Sequence, residues 1–158
     1  MSKFRAKQVP IVLNDRGKTD VRTQFAALCY KVIDGKVKVL MVTSRGTGRW
    51  IIPKGWPADG KTPIESALTE AWEEAGVEGR VTGECLGLFS YQKNVNDADD
   101  LPCVAMVYPV KVKSVSANYP EKGQRRRRWM SLKKAAERVD EPELARILKN
   151  FDPEPRQG

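Results

Sequence analysis

The sequence predicts an α/β domain, a mixed sheet held between helical layers, and three observations carry that prediction. Strand-like apolar runs lie on both sides of one strongly specified helix, and two further helical signals follow near the end of the chain. The central helix sits in GWPADGKTPIESALTEAWEEAGV, from Gly55 to Val77, where a Gly-rich turn leads into helical periodicity that stops at Gly76.

The chain has 158 residues, enough for one domain with its own core, and no repeat is visible. Residues 1–20 read as a polar arm, residues 21–151 as the single domain, and residues 152–158 (DPEPRQG) as a disordered tail. Val21 to Ile33 reads as a strand, Asp34-Gly35 as a hairpin turn, and Val37 to Thr43 as the partner strand. Trp50, Ile51 and Ile52 form a short core strand before Pro53. Trp56 and Trp72 read as core or groove packing, with stacking on a nucleobase as the alternative. After the helix, Arg80 to Gln92 and Cys103 to Lys113 carry strand signals, and Val104, Met106, Tyr108, Val110 and Val112 alternate with their neighbours. Pro109 within the second run argues against a strand there or places it at a sheet edge. Ser131 caps a helix from Leu132 to about Val139, and Pro142 opens another through Leu148.

The central helix is specified at both ends. Thr62 is its N-cap, Glu65 completes a capping box, and Pro63 falls at the first helical position, where a missing N–H is harmless. Gly76 can take the left-handed conformation that closes the helix. Ile64, Leu68, Ala71 and Ala75 form an apolar stripe. Glu70, Glu73 and Glu74, at i, i+3 and i+4, project from one other side and can share a metal. A solvated acidic face is the plain alternative. Against it, the glutamates repel at this spacing, and no Lys or Arg lies one turn before or after Glu70 or Glu74 to offset them. Hard cations such as Mg²⁺ take oxygen ligands, commonly one or two carboxylates with substrate phosphates and water.

The chain contains no histidine, which removes Ser-His-Asp and Cys-His nucleophilic systems and any histidine metal site. Acid-base work falls to a carboxylate or to metal-bound hydroxide. Glu73 and Glu74 are the candidate bases. Asp97, Asp99 and Asp100 in NVNDADD are alternatives, although that run also reads as an exposed Asn/Asp-rich loop.

This segment resembles the Nudix box: Gly, five residues, Glu, seven residues, then Arg-Glu-apolar-any-Glu-Glu-any-Gly-apolar. Gly55, Glu70, Ala71, Glu73, Glu74, Gly76 and Val77 match at the right spacing, whereas Lys61 stands in place of Glu and Thr69 in place of Arg. In the family that Arg orients a metal-binding Glu. The resemblance implies an α/β/α sandwich, Glu70 and Glu74 as principal metal ligands, Glu73 as a secondary one, and assistance from the Gly55 carbonyl. It also implies Mg²⁺, with Mn²⁺ as a substitute, and attack of a metal-activated water on phosphorus. RTQFAALCYK, VKVLMVTSR, RWIIPKGW and RRRRWMSLKKA extend it from about Arg22 to about Glu137 and look like the diphosphoinositol polyphosphate and diadenosine polyphosphate hydrolase branch.

Charge fits such substrates. Lys plus Arg number 28 against 20 Asp plus Glu, a formal net charge of +8, and a basic surface attracts polyanions. Arg22, Arg45, Arg49 and Lys54 are the expected phosphate contacts, each with the alternative of an ordinary solvated cation. Arg125, Arg126, Arg127 and Arg128 could line a polyanion pocket, bind nucleic acid, or protect an edge strand by charge. Strand alternation sends two of the four to each face, and only Trp129 offers an adjacent stacking platform, which disfavours nucleic acid.

Cys29, Cys85 and Cys103 are odd in number, lack a CxxC spacing and read as buried thiols in a reducing compartment. The start, MSKFRAKQVP, lacks an apolar targeting core, and no run approaches the ~20 residues that cross a bilayer. A soluble cytoplasmic enzyme acting on small anionic polyphosphates is the expectation. The alternatives are a non-catalytic ligand sensor and an RNA 5′-end pyrophosphohydrolase.

Overall fold

The computed structural model describes residues 8, 10, 22–96 and 99–153, without the side chains of 92–101. Its elements are β1 (Thr23–Ile33), β2 (Lys36–Thr43), β3 (Trp50–Ile51), β4 (Lys54–Gly55), α1 (Pro63–Ala75), β5 (Val77–Val81), β6 (Gly87–Asn96), β7 (Asp99–Val115), β8 (Arg127–Ser131), α2 (Leu132–Arg138) and α3 (Pro142–Asn150). The β1–β2 hairpin turns through Asp34 (φ 52°) and Gly35 (φ 75°), two left-handed residues that match the twist of the strands.

The sheet runs β3-β2-β1-β7-β5, with β4 also on β1, β6 on β7 and β8 on β2. It is mixed because β1 and β7 run parallel while the other pairs run antiparallel. Phe25 on β1 packs with Ile64 and Ala67 of α1, whereas Tyr30 meets the Phe151 ring, which follows α3, at 5.0 Å. Residues of opposite parity face opposite sides, so α1 covers one face and the C-terminal helices cover the other. The α/β/α sandwich is as expected.

Three expectations change. Arg80 to Gln92 contains parts of two strands, because β7 is long enough for β5 and β6 to share one of its edges. Pro109 is interior rather than at an edge. Its carbonyl accepts from Thr82 N–H at 3.1 Å, and a strand residue aims N and C=O at the same edge, so the absent donor falls where β5 gives way to β6. The NVNDADD run lies largely in the β6–β7 hairpin strands rather than in a loop; Asp97 is outside the described residues, as are the side chains of Asp99 and Asp100.

Most of the arm over 1–20 and residues 154–158 of the tail also lie outside the described residues. Gln8 is an exception: it accepts from Ile64 N–H at 2.7 Å and donates to Tyr108 Oη at 3.2 Å, tying the arm to the start of α1. Ile51 and Ile52 are core residues and Trp56 packs against them, while Trp72 is half-buried on α1. Cys29 and Cys103 are buried, Cys85 is partly so, and none is bridged; burial pushes the Cys29 thiol up to about 12.

Candidate active site

The site begins at the edge that β1 divides between two partners. Its far end pairs with β2 and its start pairs with the two-residue β4, which sets Gly55 opposite Phe25 on the face covered by α1. The expected Gly-rich turn is therefore partly strand. A Cβ on Gly55 would overlap the Glu70 carboxyl group, so glycine is what lets that side chain lie against the backbone.

The helix that carries the acids is built as its sequence dictates. Thr62 Oγ1 accepts from Glu65 N–H at 3.1 Å, and Glu65 accepts from Thr62 N–H at 2.8 Å. Gly76 closes the other end at φ 69°, its N–H reaching the Ala71 and Trp72 carbonyls. Hydrogen bonding to Thr62, from its backbone N–H first and its side chain second, holds the exposed Glu65 carboxyl below its ordinary value.

Glu70 and Glu74 stand one turn apart on α1 and act on each other electrostatically. Burial, then the charges of Glu74 and Glu73, push Glu70 up to about 8. Glu74 is only 6% exposed, and burial pushes it up to about 7 against the opposing pull of Arg125 and Lys54. Two carboxyl groups pressed together out of water share a proton unless a cation is present. Lys54 N–H donates to Glu74 Oε1 at 3.3 Å, and Arg125 Nη2 lies 3.3 Å from Glu74 Oε2. Glu73 is partly exposed, and its carbonyl accepts from Glu121 N–H at 3.0 Å.

The donor set fits a hard divalent cation. Two carboxylates one helical turn apart, with Glu70 lying against the Gly55 backbone, offer the oxygen ligands such a cation takes, leaving the remaining positions to phosphate and water. Among the described residues no three acidic or thiol side chains already converge on one point, so Glu70 and Glu74 form the nucleus of the site and Glu73 stands beside it.

The expected phosphate contacts do not assemble into one patch. Arg22 is exposed at the start of β1. Arg45 Nη1 donates to Gln124 Oε1 at 3.2 Å. Arg49 Nη1 lies 2.7 Å from the buried Glu141 and 3.8 Å from Asp140, which joins the 44–49 turn to the start of α3. Lys54 belongs to the opposite face from Gly55, and its Nζ stands 4.4 Å from the centre of the Tyr91 ring.

The arginine run obeys strand alternation. Arg125 and Arg127 turn toward α1, whereas Arg126 and Arg128 are exposed on the other side. Arg127 Nη1 donates to Ala75 O at 2.7 Å and Ser116 O at 2.8 Å, capping the carbonyl end of α1. Arg126 stacks over Trp50 at 5.4 Å.

Two functional features escaped the sequence reading. Glu121, whose side chain is 20% exposed, adds a fourth carboxylate near the pair, and its charge raises both Glu70 and Glu74. Glu121 lies far along the chain in EKGQ, with no spacing that points to α1. Gln24, on β1, is 1% exposed, and neither of its amide atoms has a partner among the described residues. An amide inside the apolar run TQFAALCY was a visible signal, because a buried amide left unpaired is costly.

With this geometry in place, comparison with known proteins is decisive at the level of family. A NUDIX domain model matches residues 22–151. Nudix hydrolase 12, mitochondrial, of Arabidopsis thaliana is 33% identical over 119 residues, covering 73% of this chain and 59% of that protein. Diphosphoinositol polyphosphate phosphohydrolase 2 of Homo sapiens is 30% identical over 92 residues, covering 58% of this chain and 48% of that protein. The crystal structure of C. elegans Ap4A hydrolase superposes with a TM-score of 0.62 at 19% identity, covering 82% of this chain and 94% of that one, and shares the fold. The fold and the carboxylate helix define a Nudix-fold protein. The chain belongs to the Nudix family, and it spans about three-fifths or less of the length of these two sequence relatives.

Proposed function

We propose that this protein is a divalent-cation-dependent hydrolase of phosphoanhydride bonds in small polyphosphorylated molecules. The observation that carries the reading is the placement of Glu70 against Gly55 and one turn from the buried Glu74, where burial and like charge both disfavour two bare carboxylates. Mg²⁺, or Mn²⁺ in its place, would be held by Glu70 and Glu74 with Glu73 beside them and the Gly55 carbonyl in reach. When bound there it supplies polarisation of the phosphoryl oxygens and a more acidic water. Arg125 and Lys54 N–H hold the Glu74 carboxylate in place. Glu73, less buried than Glu74, is the candidate base, with Glu74 as the other.

The family and the relatives named for diphosphoinositol polyphosphates and Ap4A support diphosphoinositol polyphosphates or diadenosine polyphosphates as substrate classes. The net charge of +8 favours encounter with such anions. Three unbridged thiols fit work in a reducing compartment such as the cytoplasm. The test is a screen of diphosphate-containing compounds with Mg²⁺ and with Mn²⁺, scored by product identity. Cation-dependent cleavage of an anhydride link is expected; tight binding without turnover across the panel would replace the enzyme with a sensor.

A further inference from the structure

Thr69 precedes Glu70 on α1, yet it does not serve the carboxylate pair. Its hydroxyl donates to Glu65 O at 2.9 Å and accepts from Lys61 Nζ at 2.7 Å, which engages it with its own helix and the preceding loop. No guanidinium lies within one turn of Glu70 or Glu74 along the helix. One arrives from fifty residues later.

Arg125 is anchored by all three of its nitrogens. Nη2 lies 3.3 Å from Glu74 Oε2, Nε donates to Glu121 Oε1 at 2.9 Å, and Nη1 donates to Thr43 O at 3.1 Å. Its side chain is 10% exposed, and the next residue is held as well, because Arg126 N–H donates to Thr43 Oγ1 at 2.9 Å. A planar fork fixed at the end of β2 imposes a plane and a direction on the carboxylate it meets, which an ammonium cannot do. Its neighbour Arg127 makes no such contact and holds two backbone carbonyls instead.

We infer that Arg125 is a positioning residue for the metal-binding carboxylate of Glu74, doing from β8's approach what no residue of α1 does. The inference rests on the proposed metal site. With its Nη2 beside Glu74 Oε2 and its Nε and Nη1 held by Glu121 and Thr43, Arg125 places a fixed positive charge on one side of the Glu74 carboxylate. Outer partners of metal ligands typically matter by roughly 10–100-fold in affinity or rate.

The test compares Arg125→Lys with Arg127→Lys in the whole chain. Both variants keep their charge, so net electrostatics are preserved and only fork geometry is lost. Mn²⁺ binding to the substrate-free protein is measured by electron paramagnetic resonance, with melting temperature as the check on folding. For Arg125→Lys the expected result is about tenfold weaker Mn²⁺ binding, with kcat on the best screened substrate falling about tenfold or more and KM moving less than about threefold. For Arg127→Lys a lower melting temperature with Mn²⁺ affinity within about twofold of the parent is expected. Equal Mn²⁺ affinity in Arg125→Lys and the parent would overturn the positioning role and leave the metal site standing. An equal loss in both variants would also overturn it, because the run would then act only by holding the tract together. Failure of the parent itself to bind Mn²⁺ would instead remove the metal site and this inference with it.

Discussion

The helix α1 and the tract from Glu121 to Arg128 cooperate at one site but are specified in different ways. α1 closes its own ends: Thr62 and Glu65 satisfy the first turn, and Gly76 satisfies the last. Its acid face is met from elsewhere by Arg125 on Glu74, and its last carbonyl, Ala75 O, by Arg127. Residues three or four apart on a helix meet by geometry alone, whereas a guanidinium fifty residues away meets them only after the sheet has formed. Local capping therefore fixes where the acids are, and the tertiary contact fixes how they are held.

The strongest way to break the comparison is at the acid both regions share. Glu74→Gln keeps the shape but gives an amide that is a poor Mg²⁺ ligand, so kcat should fall by more than the roughly 10–100-fold typical of an outer partner. The melting temperature of the metal-free variant at pH 8 should not fall, because a buried charge has been removed. Parent-like turnover would mean the ligand assignment is wrong.

Gly76→Ala attacks the point where helix and tract touch. The new Cβ would lie 2.7 Å from the Tyr119 ring, 2.9 Å from Ser116 O and 2.9 Å from Arg127 Nη1, on a residue at φ 69°. Clash and left-handed strain together should lower stability by about 2–4 kcal/mol in a denaturant titration.

Acidity sharpens the contrast without a mutation. Burial and neighbouring carboxylates push Glu70 and Glu74 up in the folded protein, to about 8 and about 7 from the ordinary 4.5. Between those values the folded state binds more protons than the unfolded chain, so stability is lost as pH rises through the window. In metal-free protein the unfolding free energy should fall from pH 5 to pH 8, and Mg²⁺ should raise the melting temperature more at pH 8 than at pH 5. A flat profile would mean that the pair is not buried as described.

The smallest effect is local. Thr62→Ala removes the hydrogen bond to Glu65 N–H and should cost about 1 kcal/mol, with kcat nearly unchanged.

Legibility followed the same division. The α1 boundaries, the Asp34-Gly35 turn and the Ser131 cap were readable, since each depends on residues within a few positions of one another. Pro109 misled because an edge and a handover between two partner strands make the same demand on a missing N–H. Arg49 and Lys54 were readable as cations but not as partners of Glu141 and the Tyr91 ring, contacts between segments distant in the chain. Glu121 and Gln24 carried no spacing that linked them to the site.

The amino-acid order by itself determined the sandwich class, the family, and a helix whose one side bears Glu70, Glu73 and Glu74. Only the tertiary structure decided that Glu74 is buried, that Gly55 makes room for Glu70, and that Arg125 meets Glu74 while Arg127 anchors the helix end. The reason is physical: periodicity and capping act over one or two turns of chain, whereas burial, and with it the cost of unpaired charge, exists only once distant segments exclude water together.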